Sequence, residues 1–497
     1  MLKRSLFLIL LFLLSFAGKA QEPFKVQVGP VYSEAQYQKW NLLNRKILLL
    51  QEGNIYAAIP ALVKSKKTYG LDFIVFDENM QFLEQAYIPL AVGKRHRFRK
   101  IIRLAKATYI ILSYLDTKTR STQLLAQEID LSQMKLRGEL RPIKTYANLP
   151  FMVKTKFVFA PSPNLEKLLI MTNMESGDQG SKHQMRYYDF SVMDEALNPL
   201  WQYTAEETDP FKHYLDPILS NAGHVVCSNP PTLTKPLGYQ KGQAKKFVII
   251  AEGKLLAKHW ISEENAYIIE HHYAFTDSGQ TLICVGITGS NLETSKGFFM
   301  TKYSLVDGSR LARSFIPFHF QTLTKEREGK VKDLKIKFIR APIEQDAYLL
   351  LQRADPALGQ GATAGSPLFR DAYLLCASWS GELIWRKTIP QSAGTRPLPF
   401  LVSEDHINFF YHQSPSSQGQ NFPDPQPLPL SSPSIKKGTQ IKHVQIDWNG
   451  NQSEYTLIEN SELGVGFWPF IKGAYEGQTA VFLGMEWTKA RFIKCQF

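Results

Sequence analysis

An all-β fold made of eight similar units is predicted by three observations in this sequence of 497 residues. Apolar runs rich in β-branched and aromatic residues alternate with short turns that contain Asn, Asp or Gly, which is the pattern of β-hairpins. One such hairpin recurs around positions 52, 106, 165, 221, 278, 345, 404 and 476. A second hairpin follows within most units, for example at 73–88 and 187–204. Two hairpins make a four-stranded antiparallel blade, so the sequence predicts a single β-propeller of eight blades, with seven as the alternative.

The first 20 residues have the composition of an export signal. Lys3 and Arg4 precede an apolar run at 6–17, and a small-x-small cleavage site ends at Ala20. The apolar run is shorter than the roughly 20 residues that a membrane-spanning helix needs. We therefore expect residues 1–20 to be a removed signal peptide and residues 21–497 to form the propeller domain. The mature chain then has no transmembrane segment and is exported to the periplasm, the extracellular space or the cell surface.

The charge balance points to an anionic partner. The chain has 58 Lys and Arg against 45 Asp and Glu, a net charge of +13, which falls to +10 when the signal leaves. Basic runs occur at 94–100 and 325–337. Export argues against a nucleic acid, so an envelope protein or an anionic glycan is the expected partner. A hydrophobic content of 44% excludes a disordered chain, and the oligomeric state is left open.

The N-terminus supplies the strand that the last unit lacks. After runs at 465–473, 478–485 and 488–496 the chain ends, one strand short of a blade. The alternating segment 24–30 is unassigned, and we predict that it pairs with the C-terminal blade and closes the propeller, because closure removes exposed sheet edges. Residues 34–45 are predicted to form a short helix.

Long connections are predicted to collect on one face. The segments that connect second and third strands are longer than the hairpin turns, and they lie at about 174–184, 229–244, 288–296, 354–368 and 413–438. Segments 205–214 and 317–334, which connect successive blades, are also long. Long loops on a rigid scaffold tend to carry binding residues. The Pro-rich loop insertion at about 413–438 is interpreted either as a docking arm or as a surface insertion without a fold of its own.

When the first strands of the blades are aligned, one position in each blade lies at the start of its strand. This position is predicted to face the loop-rich end of the central channel of the propeller. The candidate ligand-binding residues at this position are Lys100, Lys156, Asp216, His272 and Lys337. Converging positive charge would attract an anion. The alternative is that these residues are solvated strand ends, because a register error of one residue turns every side chain to the other face.

The sequence identifies no catalytic residues, and neither a metal nor a cofactor is predicted. His271 and His272 are adjacent on a strand, so their side chains point to opposite faces and do not share one metal. The four cysteines have no C-x-x-C spacing and each lies in an apolar run, which predicts buried thiols rather than bridges or a zinc site; they are Cys227, Cys284, Cys376 and Cys495.

Two segments carry a family resemblance. "NPLWQYT" at 198–204 and "SGELIWRKT" at 380–388 resemble the Gly-x-x-x-Trp ending of quinoprotein blades. Over residues 24–497 the chain resembles propellers of the WD40-like and quinoprotein-like superfamily, although no blade has a Gly-His…Trp-Asp pair. The resemblance implies the fold and does not extend to a cofactor.

Three functions fit these observations. The first is a non-catalytic binding or scaffold protein that engages its ligand or partner through the loop-rich face, and it is preferred because it needs no catalytic motif. The second is a hydrolase or lyase that acts on an acidic carbohydrate at the channel mouth. The third is a structural component of an envelope assembly that uses a basic outer edge. Whether the protein is an enzyme is left open.

Overall fold

A computed structural model describes most of the predicted domain. It covers residues 25–39, 47–63, 68–90, 95–119, 121–146, 156–176, 185–207, 215–229, 245–261, 266–276, 278–290, 294–318, 331–332, 334–341, 346–355, 368–389, 400–403, 405–413, 440–459, 473–476, 479–486 and 489–496. The predicted signal and most of the long connections lie outside these residues. By its contacts the chain divides into one unit of residues 1–59, 73–86 and 457–497 and another of residues 60–72 and 87–456.

The described residues form strands almost throughout. Strands β1 (Lys25–Val28) and β2 (Tyr32–Ser33) and helix α1 (Glu34–Lys39) come first. Blade 1 comprises β3 (Ile47–Gln51), β4 (Asn54–Val63), β5 (Thr68–Phe76) and β6 (Phe82–Leu90). Blade 2 comprises β7 (His96–Arg103), β8 (Thr108–Asp116), β9 (Ser121–Asp130) and β10 (Lys135–Tyr146), and blade 3 comprises β11 (Lys156–Pro161), β12 (Lys167–Ser176), β13 (Met185–Asp194) and β14 (Pro199–Glu207).

The next two blades follow the same order. Blade 4 comprises β15 (Leu215–Leu219), β16 (Val225–Asn229), β17 (Lys245–Ala251) and β18 (Lys254–Ile261). Blade 5 comprises β19 (Tyr267–Phe275), β20 (Thr281–Gly289), β21 (Thr294–Ser304) and β22 (Arg310–Pro317), and the short β23 (Val331–Lys332) also pairs with β21.

The last three blades complete the series. Blade 6 comprises β24 (Leu334–Arg340), β25 (Asp346–Asp355), β26 (Leu368–Ser378) and β27 (Leu383–Ile389), and blade 7 comprises β28 (Phe400–Val402), β29 (His406–Gln413), β30 (Gln440–Asp447) and β31 (Gln452–Glu459). Blade 8 comprises β32 (Gly473–Glu476), β33 (Thr479–Glu486) and β34 (Lys489–Gln496), with β1 and β2 both paired to β34. The eight antiparallel sheets are the blades of an eight-bladed β-propeller, which confirms the predicted fold class. The alternative of seven blades is wrong.

In blades 1 to 7 the first strand is the inner strand and the last is the outer strand, whereas in blade 8 β32 is the inner strand and β1 lies beyond β34. First strands of neighbouring blades contact one another, as β11 contacts β15 and β19 contacts β24. The second and third strands are the most buried, and every residue of β20 is buried. Their side chains form cores between blades; Val285 and Met300 of blade 5, for example, share one cluster with Leu349 and Leu375 of blade 6. The alternation of buried runs and turns therefore produces a chain of inter-blade cores.

The two tryptophans of the resemblance pack against the turn of the following blade. Gly450 has a φ of +84°, and a Cβ at this position would lie 2.9 Å from Cδ2 of Trp385 in β27. Gly253 has a φ of +73°, and its Cβ would lie 2.8 Å from the carbonyl oxygen of Gln202, the residue after Trp201 in β14. Glycine suits both positions, because it adopts positive φ without strain and leaves room for the indole of Trp385 and for the carbonyl of Gln202.

The predicted closure by the N-terminal strand is confirmed. Val26 lies opposite Cys495 in the β1–β34 ladder, and Nε of Arg491 donates a hydrogen bond to the carbonyl of Gly29 at 2.5 Å. Helix α1 begins with a capping box, in which the Ser33 amide donates to Oε1 of Gln36 at 2.8 Å. The helix matches the first half of the predicted 34–45, and residues 40–45 lie outside the description.

The cysteine prediction is also confirmed, because the four thiols are free and buried. Burial raises the pKa of Cys376 to about 11, so this thiol stays protonated and unreactive at neutral pH. Among the described residues, no helix has the length and apolarity to cross a lipid bilayer.

Candidate functional site

The five candidate residues all lie on inner strands, but not all at strand starts. Lys156 opens β11 and Asp216 is the second residue of β15. Lys100, His272 and Lys337 instead lie well inside β7, β19 and β24, so the prediction that they begin their strands is wrong. The side chain of Asp216 lies outside the description.

β-Bulges explain the difference. The registers of β7, β19 and β24 against their neighbours shift at one extra residue each, which is Arg99, Ile269 and Lys337. The ladder between β15 and β16 shifts as well, between Leu215 and Ile218. A bulge places two residues opposite one and redirects the side chains that follow. Simple alternation therefore fails on these inner strands.

A first basic group lies where β7 of blade 2 meets β11 of blade 3. The guanidinium carbon of Arg99 lies 5.0 Å from the centre of the Phe157 ring, and its Nε donates to Oγ of Ser113 at 2.7 Å. Nζ of Lys100 donates to the carbonyl of Phe159 at 3.3 Å. Ring, hydroxyl and carbonyl thus hold two adjacent cations in defined positions on the inner strand.

Neither cation has an acidic partner among the residues that the structure describes. Among the described residues, no carboxylate lies within 4.0 Å of Arg99 or Lys100. Loss of hydration lowers the pKa of Lys100, although much of its side chain is exposed. Desolvation and then the nearby charge of Arg97 lower the pKa of Arg99. An incoming anion would relieve both effects, because it supplies the opposite charge that the site lacks.

A second group lies where β19 of blade 5 meets β24 of blade 6. Oε1 of Glu270 lies 3.0 Å from Nε2 of His272. Oε2 of the same carboxylate accepts a hydrogen bond from the amide of Ile336 at 3.1 Å. Burial lowers the pKa of the neighbouring Lys337, and the charge of Glu270 opposes that shift. The group therefore combines a fixed carboxylate, an exposed imidazole and a half-buried ammonium.

The structure brings three of the candidates into two separate groups. His272 and Lys337 flank the same carboxylate, whereas Lys100 belongs to the first group. Within the described residues, no hydrogen bond or ion pair joins Lys100 or Lys156 to the second group. Lys156 is exposed at the start of β11, the same strand whose Phe159 carbonyl Lys100 contacts. The candidates therefore form two separate inner-strand groups rather than one site of converging positive charge.

Two residues of these groups were absent from the sequence prediction. Arg99 lies within the basic run 94–100, but the sequence has no signal for the bulge that turns it towards Phe157. Glu270 adjoins the histidine pair, and its role depends on contact with another blade. His271 follows the prediction, since its ring packs edge-on against Tyr273 while His272 is exposed. No group of three metal-ligating side chains occurs among the described residues.

Most of the predicted loop-rich face lies outside the description. Of the long connections, residues 177–184, 230–244, 291–293, 356–367 and 414–439 are not covered. The described part of the predicted site is therefore its inner strands.

Comparisons with known proteins give matches among solved structures alone. The sequence matches no family model and no curated protein. Among solved structures, the chain is similar to the β-propeller domain of the Trilobed protease from Pyrococcus furiosus, at 11% identity over 83% of this chain and 96% of that chain, with a TM-score of 0.34. It is also similar to the WD40 domain of SCAP from fission yeast, at 7% identity over 97% and 96% of the two chains, with a TM-score of 0.40. A third similar structure is the acylaminoacyl peptidase of Pyrococcus horikoshii, at 10% identity over 88% of this chain and 57% of that chain, with a TM-score of 0.37. The fold class itself rests on the eight sheets.

Proposed function

We propose that this protein is an exported, non-catalytic binding protein that holds an anionic glycan on its inner strands. The observation that carries the proposal is the pair of cations Arg99 and Lys100, which are fixed between blades 2 and 3 and have no carboxylate within 4.0 Å in the described part of the chain. Their positions are set by protein contacts before any ligand arrives. Preorganised donors lose little conformational entropy on binding, which favours recognition of carboxylate or sulfate groups.

The expected location supports a glycan as the anion. The N-terminal segment 1–20 has the composition of an export signal, and the charge of the remaining chain is strongly positive. A basic protein in the periplasm or at the cell surface meets acidic polysaccharides rather than nucleic acid. Proposed localisation and proposed ligand therefore agree with each other.

Binding of polygalacturonate to the purified mature protein tests this function. We expect Lys100→Gln to weaken the affinity about tenfold, since hydrogen bonds to charged groups contribute roughly 1.5–3 kcal/mol. Lys135→Gln is the matched control, because Lys135 is an exposed lysine on the outer strand β10. Neutral dextran is the control polymer. Equal binding of both polymers, or equal effects of the two substitutions, would refute the proposal.

A second function is favoured by the contact between Glu270 and His272. A carboxylate that orients an imidazole is a common arrangement for a general base, and Lys337 would neutralise the acidic group of a uronic sugar. This arrangement supports a lyase or hydrolase of acidic carbohydrates. The test is release of unsaturated or reducing chain ends from polygalacturonate by the wild-type protein and by His272→Gln. Turnover that His272→Gln abolishes, with binding retained, would replace the non-catalytic function.

A further inference from the structure

The outer strands of blades 4, 5 and 6 differ in charge from the outer strands of blades 1, 2, 3 and 7. Strands β18, β22 and β27 contain no Asp or Glu. In contrast, β6, β10, β14 and β31 each contain at least one Glu. The six cations of the three acid-free strands are Lys254, Lys258, Arg310, Arg313, Arg386 and Lys387. Acids flank these strands in the sequence: Glu252, Asp307 and Glu382 precede them, and Glu263 and Glu264 follow β18.

Two of these strands, β18 and β22, each expose an aromatic side chain near the end that is away from the preceding turn. Trp260 near the end of β18 is 58% exposed, and Phe315 near the end of β22 is 47% exposed. Lys258 and Arg313 each stand two residues before one of these rings. Prevention of edge-to-edge strand pairing would explain lysines on outer strands, but it would not explain exposed aromatic rings beside them.

Contacts between blades make the three strands neighbours. Nε2 of His259 in β18 lies 2.6 Å from the carbonyl of Gly308, in the turn before β22. A Cβ at Gly381, in the turn before β27, would lie 3.5 Å from the carbonyl oxygen of Phe315. The three acid-free strands therefore follow one another without an intervening element. We call the side chains of Lys258, Trp260, Arg313, Phe315 and Lys387 the outer basic surface.

We propose that the outer basic surface docks the protein on an anionic lipid membrane. Basic residues near an anionic bilayer surface contribute roughly 1 kcal/mol each, and tryptophan prefers the boundary between headgroups and acyl chains. The surface offers both features, and the three strands themselves add no acid that an anionic membrane would repel. Lys258 is exposed and Lys387 is half-buried, and neither has a carboxylate within 4.0 Å among the described residues. This site is separate from the inner strands and does not depend on the glycan proposal.

Vesicle sedimentation with the purified mature protein tests the docking surface. Vesicles of phosphatidylcholine alone are compared with vesicles that contain about one third phosphatidylglycerol, at low and at high salt. We expect binding to the anionic vesicles only, and its loss at high salt. The double variant Lys258→Gln/Lys387→Gln should bind roughly 30-fold more weakly, from two charges of about 1 kcal/mol each. Trp260→Ser should weaken binding about tenfold, through loss of its interfacial ring.

Matched controls come from other exposed positions. Lys118→Gln/Lys135→Gln removes two exposed lysines outside the surface. Leu200→Ser removes a side chain that is 48% exposed, on an outer strand that also contains Glu206 and Glu207. Neither control should change vesicle binding, and urea midpoints should confirm that all variants fold. The proposal is overturned if wild-type protein ignores the anionic vesicles, if the controls weaken binding as much as the test variants, or if an acidic peptide binds this surface while vesicles do not.

Discussion

Replacement of Asp189 by Ala should strongly destabilise the contact between blades 2 and 3. The Asp189 side chain is 3% exposed, and its Oδ2 lies 3.4 Å from Nζ of Lys144 on the outer strand β10. The same carboxylate accepts hydrogen bonds from the hydroxyls of Tyr146, at 3.2 Å, and Ser191, at 2.9 Å, and from Nε2 of Gln202, at 2.5 Å. One buried charge therefore satisfies four donors from three strands.

The expected cost follows from what the substitution leaves behind. Asp189→Ala strands the Lys144 ammonium, whose side chain is only 14% exposed, and a buried charge without its partner costs about 3–5 kcal/mol. Lys144→Met is expected to cost about 1–2 kcal/mol, because the carboxylate keeps its other donors. The double variant should be more stable than additivity predicts, by about 1–3 kcal/mol.

An exposed ion pair provides the control. Nη1 of Arg137 lies 3.9 Å from Oε1 of Glu128, and the two side chains are 53% and 38% exposed. Glu128→Gln should cost less than about 1 kcal/mol. Urea unfolding, followed by tryptophan fluorescence and by circular dichroism, measures each free energy where the two probes coincide. A cost below about 1 kcal/mol for Asp189→Ala, or strict additivity in the cycle, would refute the reasoning.

Three further predictions concern pH, blade packing and closure. Burial lowers the pKa of His443 to about 3, so the folded protein keeps this imidazole neutral. The free energy of unfolding should therefore be unaffected by His443 above pH 6.5 and should fall by up to about 5 kcal/mol as the pH drops from 6.5 to 3, because the unfolded chain takes up the proton first. Urea midpoints of His443→Gln should depend less on pH than those of the wild-type protein. Trp385→Ala should cost about 2–3 kcal/mol by emptying the space against Gly450, whereas Trp260→Ala, at an exposed site, should stay within about 0.5 kcal/mol in the same assay. Val26→Pro should lower the melting temperature by at least about 3 °C in calorimetry, because proline disrupts the β1–β34 ladder; an unchanged value would contradict that role.

The architecture was predictable because its signals are local. Seven of the eight predicted turn positions fall between the first and second strands of their blades, and position 476 is the last residue of β32. The missing strand was predictable as well, since an unassigned alternating segment and an incomplete last unit occur in one chain. Hydrophobic alternation and turn residues decide both features over short stretches of sequence.

The candidate site was predictable only in part, because its geometry depends on bulges and on neighbouring blades. The residue types and inner-strand positions of Lys100, His272 and Lys337 followed from the repeat. The extra residue at Arg99 shifts the register without a marker in the sequence. Glu270 gains its second hydrogen bond from the amide of Ile336, 66 positions away, and no local pattern encodes that contact.

Pairing of β1 with β34 has a consequence for how the chain reaches its folded state. The hydrogen bond from Arg491 to Gly29 joins residues 462 positions apart, and bringing such distant segments together costs about 5 kcal/mol of loop entropy. Blade 8 is therefore complete only after β34 has been synthesised, and the outer edge of β34 has no partner until β1 pairs with it. Two copies at high concentration can exchange their N-terminal strands at this edge, so refolding from dilute solution should favour monomers over strand-exchanged dimers.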